Sequence, residues 1–295
     1  MIQQIRRIIQ FATTLINNSY FGFIFTKKIF QGPTKAFCAP GLNCYSCPAS
    51  ILACPMGALQ VIMGSLKNSL SFGKYYLGFY VIGFLGSIGM LVGRFPCGWL
   101  CPFGFLQELI HKIPSKKIDI SSKLQYGKYI FLFGFVIILP AIYLDEFGYG
   151  ITWFCKYVCP AGTLEAGIPL MLLDPSLRRL IGILYYNKLA ILFLLFVAMV
   201  FIRRPFCRTI CPLGGFYSLF NKISILRMRH HKNKCVKCYQ CYSDCPMHLK
   251  FPDGANQLNC IRCFKCYSDS CKFEAISIEL TGARKKELVT KENYQ

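Results

Sequence analysis

Eighteen of the 295 residues are cysteines, and their spacing suits iron better than disulfides. The densest run is Cys235-Val-Lys-Cys238-Tyr-Gln-Cys241-Tyr-Ser-Asp-Cys245-Pro246, a C-x2-C-x2-C-x3-C-P pattern. Cys260-Ile-Arg-Cys263-Phe-Lys-Cys266, followed by Cys271, repeats its front half with one extra residue before the last Cys. Three thiolates so spaced can wrap three corners of an iron–sulfur cube, and the fourth Cys of each run reaches the neighbouring cube. The expected pairing is therefore Cys235, Cys238, Cys241 and Cys271 on one 4Fe-4S cluster. Cys260, Cys263, Cys266 and Cys245 take the other. A zinc ribbon needs its thiolates in two pairs, and triplets plus one do not supply them.

The other cysteines follow a second rule. Cys97-Gly-Trp-Leu-Cys101-Pro102-Phe-Gly104, Cys155-Lys-Tyr-Val-Cys159-Pro160-Ala-Gly162 and Cys207-Arg-Thr-Ile-Cys211-Pro212-Leu-Gly214 are three copies of C-x3-C-P-x-G. A single copy could be a pair of buried small hydrophobes; three copies beside apolar stretches cannot be explained so simply. Cys38, Cys44, Cys47 and Cys54 form a further group, each of the last two followed by Pro.

Elements must bring these loops together. Apolar stretches lie at 8–25, 75–93, 126–144 and 187–202. Mean hydropathy is +0.40, with 54% hydrophobic and only 16% charged residues, too apolar for an ordinary soluble domain. The expected fold class is an α-helical membrane protein of about four transmembrane helices plus re-entrant or interfacial helices. A C-terminal α+β two-cluster ferredoxin-like domain follows. The expected domains are 1–229 in the membrane, 230–280 as the ferredoxin module and 281–295 as a charged tail. The first stretch is the weakest span, because Asn17, Asn18 and Ser19 must face protein rather than lipid; an interfacial helix is its alternative. Gly83, Gly86 and Gly89 offer a face for close helix packing. Helices are also expected at 105–113 and 216–229.

The ends of the second and fourth stretches match at an offset of 110 residues. Those stretches run the same way, so Cys97, Cys101, Cys207 and Cys211 should meet on one membrane face and complete a cluster. The opposite face would then hold Cys38, Cys44, Cys47, Cys54, Cys155 and Cys159. The preferred set takes Cys155 and Cys159 with Cys44 and Cys47. Cys38 and Cys54 are alternative ligands, and a set of Cys38, Cys44, Cys47 and Cys54 is the rival. Four clusters are expected in all.

The net charge of +21 admits nucleic acid, an anionic membrane or an acidic partner. No nucleic-acid motif is present, and positive cytoplasmic loops account for much of the charge. Arg203, Arg204, Arg208, Lys222, Arg227 and Arg229 place the ferredoxin module on the cytoplasmic side of the cell membrane. Thiolates reserved for clusters imply a reducing setting, and no cleavage signal follows the first apolar stretch. His111, His230, His231 and His248 all lie outside the apolar stretches, so no membrane haem is expected.

The C-x3-C-P loops followed by the doubled ferredoxin run resemble the membrane-bound polyferredoxin family over roughly residues 75–275. That family includes quinol-dehydrogenase, regulatory and copper-oxidase accessory members. The resemblance implies several spans, 4Fe-4S clusters and electron transfer between a quinone pool or soluble donor and partner subunits. The third C-x3-C-P and the Cys38–Cys54 group depart from the family pattern. The expectation is an electron-transfer subunit, with quinol dehydrogenation open and a copper reductase or assembly factor as the alternative. Arg94, Arg204, Arg208, Arg262 and Lys265 are candidates to favour reduced clusters, and Glu108 or Glu165 to relay protons beside a quinone.

Overall fold

The computed structural model describes residues 1–72, 76–146, 150–179, 181–249 and 257–280. The expected tail at 281–295 lies outside the described residues. The fold is mostly helical, with one two-stranded sheet.

Helix α1, Ile2–Asn17, is amphipathic in reverse. Its buried residues are Arg6, Gln10 and Asn17, whereas Ile8 is 67% and Phe11 55% exposed. The polar face is held by protein: Arg6 Nε and Gln10 Nε2 both donate to Gly98 O, at 3.0 and 2.9 Å. The helix stops at Asn17, so 8–25 is not one continuous span. Asn18 turns inward and donates to Asn43 Oδ1 at 3.2 Å. The amides thus face protein, as the polar interruption required.

Two helices among the described residues are long and apolar enough to cross a membrane, Lys123–Ile142 and Ile183–Phe201. They coincide with the third and fourth expected spans. The second forms a shorter helix, Tyr76–Val92, and an additional apolar helix, Pro55–Phe72, packs beside it. The expected glycine face is only partly used. A Cβ on Gly83 or Gly86 would meet nothing within 4 Å, while one on Gly89 would stand 2.8 Å from the Phe220 ring. The tight backbone contact is elsewhere: a Cβ on Gly150 would lie 2.1 Å from Gly64 Cα, and Gly150 N donates to Gly64 O at 3.1 Å.

Two short helices, Pro102–Ile110 and Pro212–Phe220, follow the paired C-x3-C-P loops. The second ends well before Arg229. Leu226–His230 is instead strand β1, paired antiparallel with β2, Ile276–Leu280, in the register Met228 to Ile278. Residues 226–229, expected within the membrane domain, therefore belong to the module's sheet. The helical expectation failed because alternating apolar Leu226 and Met228 suit a half-buried strand once a partner strand is present.

Candidate iron–sulfur sites

The doubled run builds two cavities. One is lined by Cys235, Cys238, Cys241 and Cys271, the other by Cys245, Cys260, Cys263 and Cys266. Each lining holds three cysteines of one run and the last cysteine of the other. Each second Cys is flanked by residues in the left-handed region: Lys237 and Tyr239 (φ 55° and 57°) around Cys238, Arg262 and Phe264 (φ 50° and 57°) around Cys263. Such backbone is costly for non-glycine residues, and here it curls each loop around its cavity. The first cavity is the outer one, with Cys238 exposed; Cys263 is buried.

The paired C-x3-C-P loops interlock by exchange. Arg94, three residues before Cys97, sends Nη2 to Cys207 O at 3.2 Å. Arg204, three residues before Cys207, sends Nη1 to Cys97 O at 2.8 Å. Each arginine also closes on the other loop's glycine: a Cβ on Gly104 would be 3.4 Å from Arg204 Nη1, and one on Gly214 2.8 Å from Arg94 Nη2. The loops share a local device too. Cys101, Cys159 and Cys211 cap their helices, each Sγ accepting from the N–H of the glycine three residues on at 3.4 Å. Proline next to the cap has no N–H to satisfy, and glycine leaves room beside the sulfur.

Cys97, Cys101, Cys207 and Cys211 are all buried. Burial first, then the Cys207 and Cys97 thiolates, push Cys101 up to about 12. The second centre gathers Cys44, Cys54, Cys155 and Cys159. Burial, then Cys155, Cys44 and Cys54, push the Cys159 thiol well above its ordinary value. The Gly162 Cβ position stands 3.7 Å from Cys44 Sγ and 3.9 Å from Cys159 Sγ. Cys54 thus stands among the thiolates around Cys159. Cys47 forms a turn with Cys44 and points its Sγ to Asn18 Oδ1 at 3.7 Å. Cys38 is buried at a bridge to Ala53.

Two glutamines were missed in the sequence reading. Gln60 Nε2 donates to Cys155 Sγ, and Gln107 Nε2 to Cys207 Sγ, both at 3.0 Å. Their signal was present: Cys54-Pro-Met-Gly-Ala-Leu-Gln60 and Cys101-Pro-Phe-Gly-Phe-Leu-Gln107 place Gln six residues after Cys. Cys54-Pro-x-Gly is thereby a fourth copy of the C-P-x-G turn. Glu165 occupies that place after Cys159, and Cys44 N donates to its Oε2 at 2.6 Å. Burial, opposed by that N–H, pushes Glu165 up to about 7. Glu108 differs: despite its burial, Arg204 and Arg6 hold its carboxyl below the usual range. Its oxygen pairs with Arg204 Nη2 at 2.8 Å and also with Arg6.

The centres are joined by short contacts. Asn221 Oδ1 accepts from Arg94 N at 2.9 Å, and its Nδ2 donates to Cys260 O at 2.8 Å. Trp99 Nε1 donates to Arg262 O at 2.9 Å. A Cβ on Gly98 would lie 2.4 Å from Ile261 O, and one on Gly41 would lie 2.7 Å from Cys101 Cα. Only three residues, at most about 11 Å of chain, lead from Gly41 to Cys44. A bilayer core is about 30 Å thick, so the Cys44 loop is not at the face opposite Cys101, where it was expected. Buried polar groups allow this inward fold: Asn43 Nδ2 donates to Ser50 Oγ at 3.0 Å, satisfying the loop internally.

Of the candidate basic residues, Arg94, Arg204, Arg208 and Arg262 are buried, while Lys265 is half-buried. Among the described residues no group of three or more His, Cys, Asp or Glu is gathered tightly enough for one metal ion. Ligands of a single zinc crowd within about 4 Å of one another, given Zn–S bonds of about 2.3 Å; a cube holds its thiolates farther apart. All-thiol donor sets, cavities walled by four cysteines and glycines cleared beside sulfur fit 4Fe-4S clusters.

The family described as a 4Fe-4S binding domain matches residues 76–121, 129–168 and 187–233, one C-x3-C-P loop in each segment. The uncharacterised protein MJ0750 of Methanocaldococcus jannaschii is 34% identical over 198 residues, 64% of this chain and 73% of that protein. The chain belongs to this 4Fe-4S binding family. The putative electron transport protein YccM of Escherichia coli is 27% identical over 171 residues, 55% of this chain and 44% of YccM. Regulatory protein NosR of Stutzerimonas stutzeri is 30% identical over 167 residues, 54% of this chain and 20% of NosR. The chain thus spans less than half of these two relatives. No solved structure matches it. The polyferredoxin resemblance stands.

Proposed function

We propose that the chain is a multi-pass membrane subunit that relays electrons through four 4Fe-4S clusters. The proposed sites, from the exposed end inward, are Cys235/Cys238/Cys241/Cys271, Cys245/Cys260/Cys263/Cys266, Cys97/Cys101/Cys207/Cys211 and Cys44/Cys54/Cys155/Cys159. A bound cluster supplies one-electron chemistry; the protein supplies order, burial and charge. Arg204 pairs with Glu108 and lies near Cys207, Cys101 and Cys263, so its charge favours the electron-rich state of two neighbouring sites. Gln60 and Gln107 act likewise through their N–H groups.

Asn221 carries the reading furthest. Its one side chain bonds both Arg94 of the paired loops and the Cys260 carbonyl, so the module and the membrane-domain centre share a wall. The reversed amphipathicity of α1 and the apolar surfaces of Lys123–Ile142 and Ile183–Phe201 support a lipid setting, with the module on the cytoplasmic side by the charge of the segment after the last span. Redox partner subunits at either end complete the route. If a quinone is one partner, Glu165 suits its protons better than Glu108, which two arginines hold ionised.

EPR of the fully reduced, full-length protein tests the relay. Neighbouring reduced clusters should give broadened, magnetically interacting spectra. Four independent signals whose sum reproduces the whole spectrum would sink the reading.

A further inference from the structure

The outermost cavity carries a surface that the relay itself does not explain. Cys238 is exposed at its mouth. Around it stand Val236, Tyr239 and Phe273, 57%, 56% and 49% exposed, and all three line the cavity. Apolar side chains left uncovered at one spot mark a contact site more often than chance exposure. Basic residues stand close to them in the sequence: Lys237 lines the cavity, and Lys232, Lys234, Lys237 and Lys272 are exposed. Across 232–239 and 271–274 the only carboxylate is Glu274. An apolar centre with a polar, predominantly basic rim is the anatomy of a protein interface that is steered by charge.

We propose that this rim docks a small acidic electron-carrier protein, whose redox group is thereby brought to Cys238. The inference rests on the module holding clusters, and it adds the chemistry of the partner. The rim adjoins a cavity walled by four thiols, and Cys238 in it is the one exposed sulfur among the described residues. A lipid surface pressed on the same lysines would cover that mouth with hydrocarbon and headgroups and leave no redox group beside it. An acidic protein satisfies both the lysines and the exposed sulfur. Steering by opposite charge also speeds encounter without demanding a long-lived complex, which suits a carrier that must leave after transfer.

The test uses the full-length protein in phosphatidylcholine nanodiscs and an acidic bacterial-type ferredoxin as probe. Binding is read by surface plasmon resonance at low and high salt, with iron content measured on every variant. The proposal expects binding to weaken about tenfold or more at high salt. The same loss is expected in the Lys232→Glu, Lys234→Glu, Lys237→Glu, Lys272→Glu variant, and a smaller loss in the corresponding Gln variant, with iron retained in both. Salt-independent binding would overturn it, as would equal binding of a basic cytochrome. So would variants that lose attachment to phosphatidylglycerol vesicles yet bind the ferredoxin unchanged, since the lysines would then serve lipid. Loss of iron in unaltered protein would instead strike the cluster reading beneath it.

Discussion

Gln107 and Gln60 stand at the same distance behind their cysteines and make the same 3.0 Å contact to a sulfur across the centre. An N–H aimed at sulfur stabilises the more negative, reduced state. A hydrogen bond to a charged group contributes roughly 1.5–3 kcal/mol. If about half of that differs between redox states, Gln107→Leu should lower one midpoint potential on the order of 50 mV. A redox titration followed by EPR reads this directly, and an unmoved potential with iron intact would show the contact to be structural only. Glu108 makes a second prediction at this scale. Glu108→Ala leaves Arg6 and Arg204 buried without their carboxylate. Removing one member of a buried pair costs about 3–5 kcal/mol, so thermal unfolding should occur at clearly lower temperature, and Glu108→Asp should recover part of the loss.

The loops carry the element-scale argument. Gly98 lies where the Cys97 loop meets the module, with space for no Cβ beside Ile261 O. Gly98→Ala should therefore loosen the joint. Limited proteolysis should cut the chain between the helix Pro212–Phe220 and Cys235 faster than in the parent, and an unchanged digest would contradict the joint's importance. Part of this architecture was readable in advance. Triplet spacing groups the module's cysteines as they line its two cavities, and the meeting of the Cys97 and Cys207 loops followed from the internal repeat and helix direction. The inward course of the Cys38–Cys54 loop was not readable, because hydropathy reports whether a segment is apolar and is silent on a polar loop satisfied by its own side chains, such as Asn43 with Ser50. Strand β1 was hidden for a related reason: its partner β2 lies about fifty residues away, at Ile276–Leu280. The Gln contacts were legible only as a shared offset, which gains meaning once the two loops are seen to cross.

At the scale of the whole molecule, the proposed relay would run from an exposed sulfur at Cys238 to a buried centre at Cys159. The contacts between successive members are side chains and loops rather than long linkers. Folding and cluster assembly should be coupled, since buried thiols such as Cys101 and Cys159 resist ionisation until iron offsets their charge. Stripping the iron should therefore cost tertiary structure as well as colour. The most direct measurement is anaerobic iron and acid-labile sulfide per chain, made on the full-length protein and on a Cys54→Ala, Cys159→Ala variant. Four cubes predict about sixteen irons, with about four lost in the variant and the module's signals retained. About eight irons in the parent, unchanged by the variant, would confine the clusters to the module and contradict the relay.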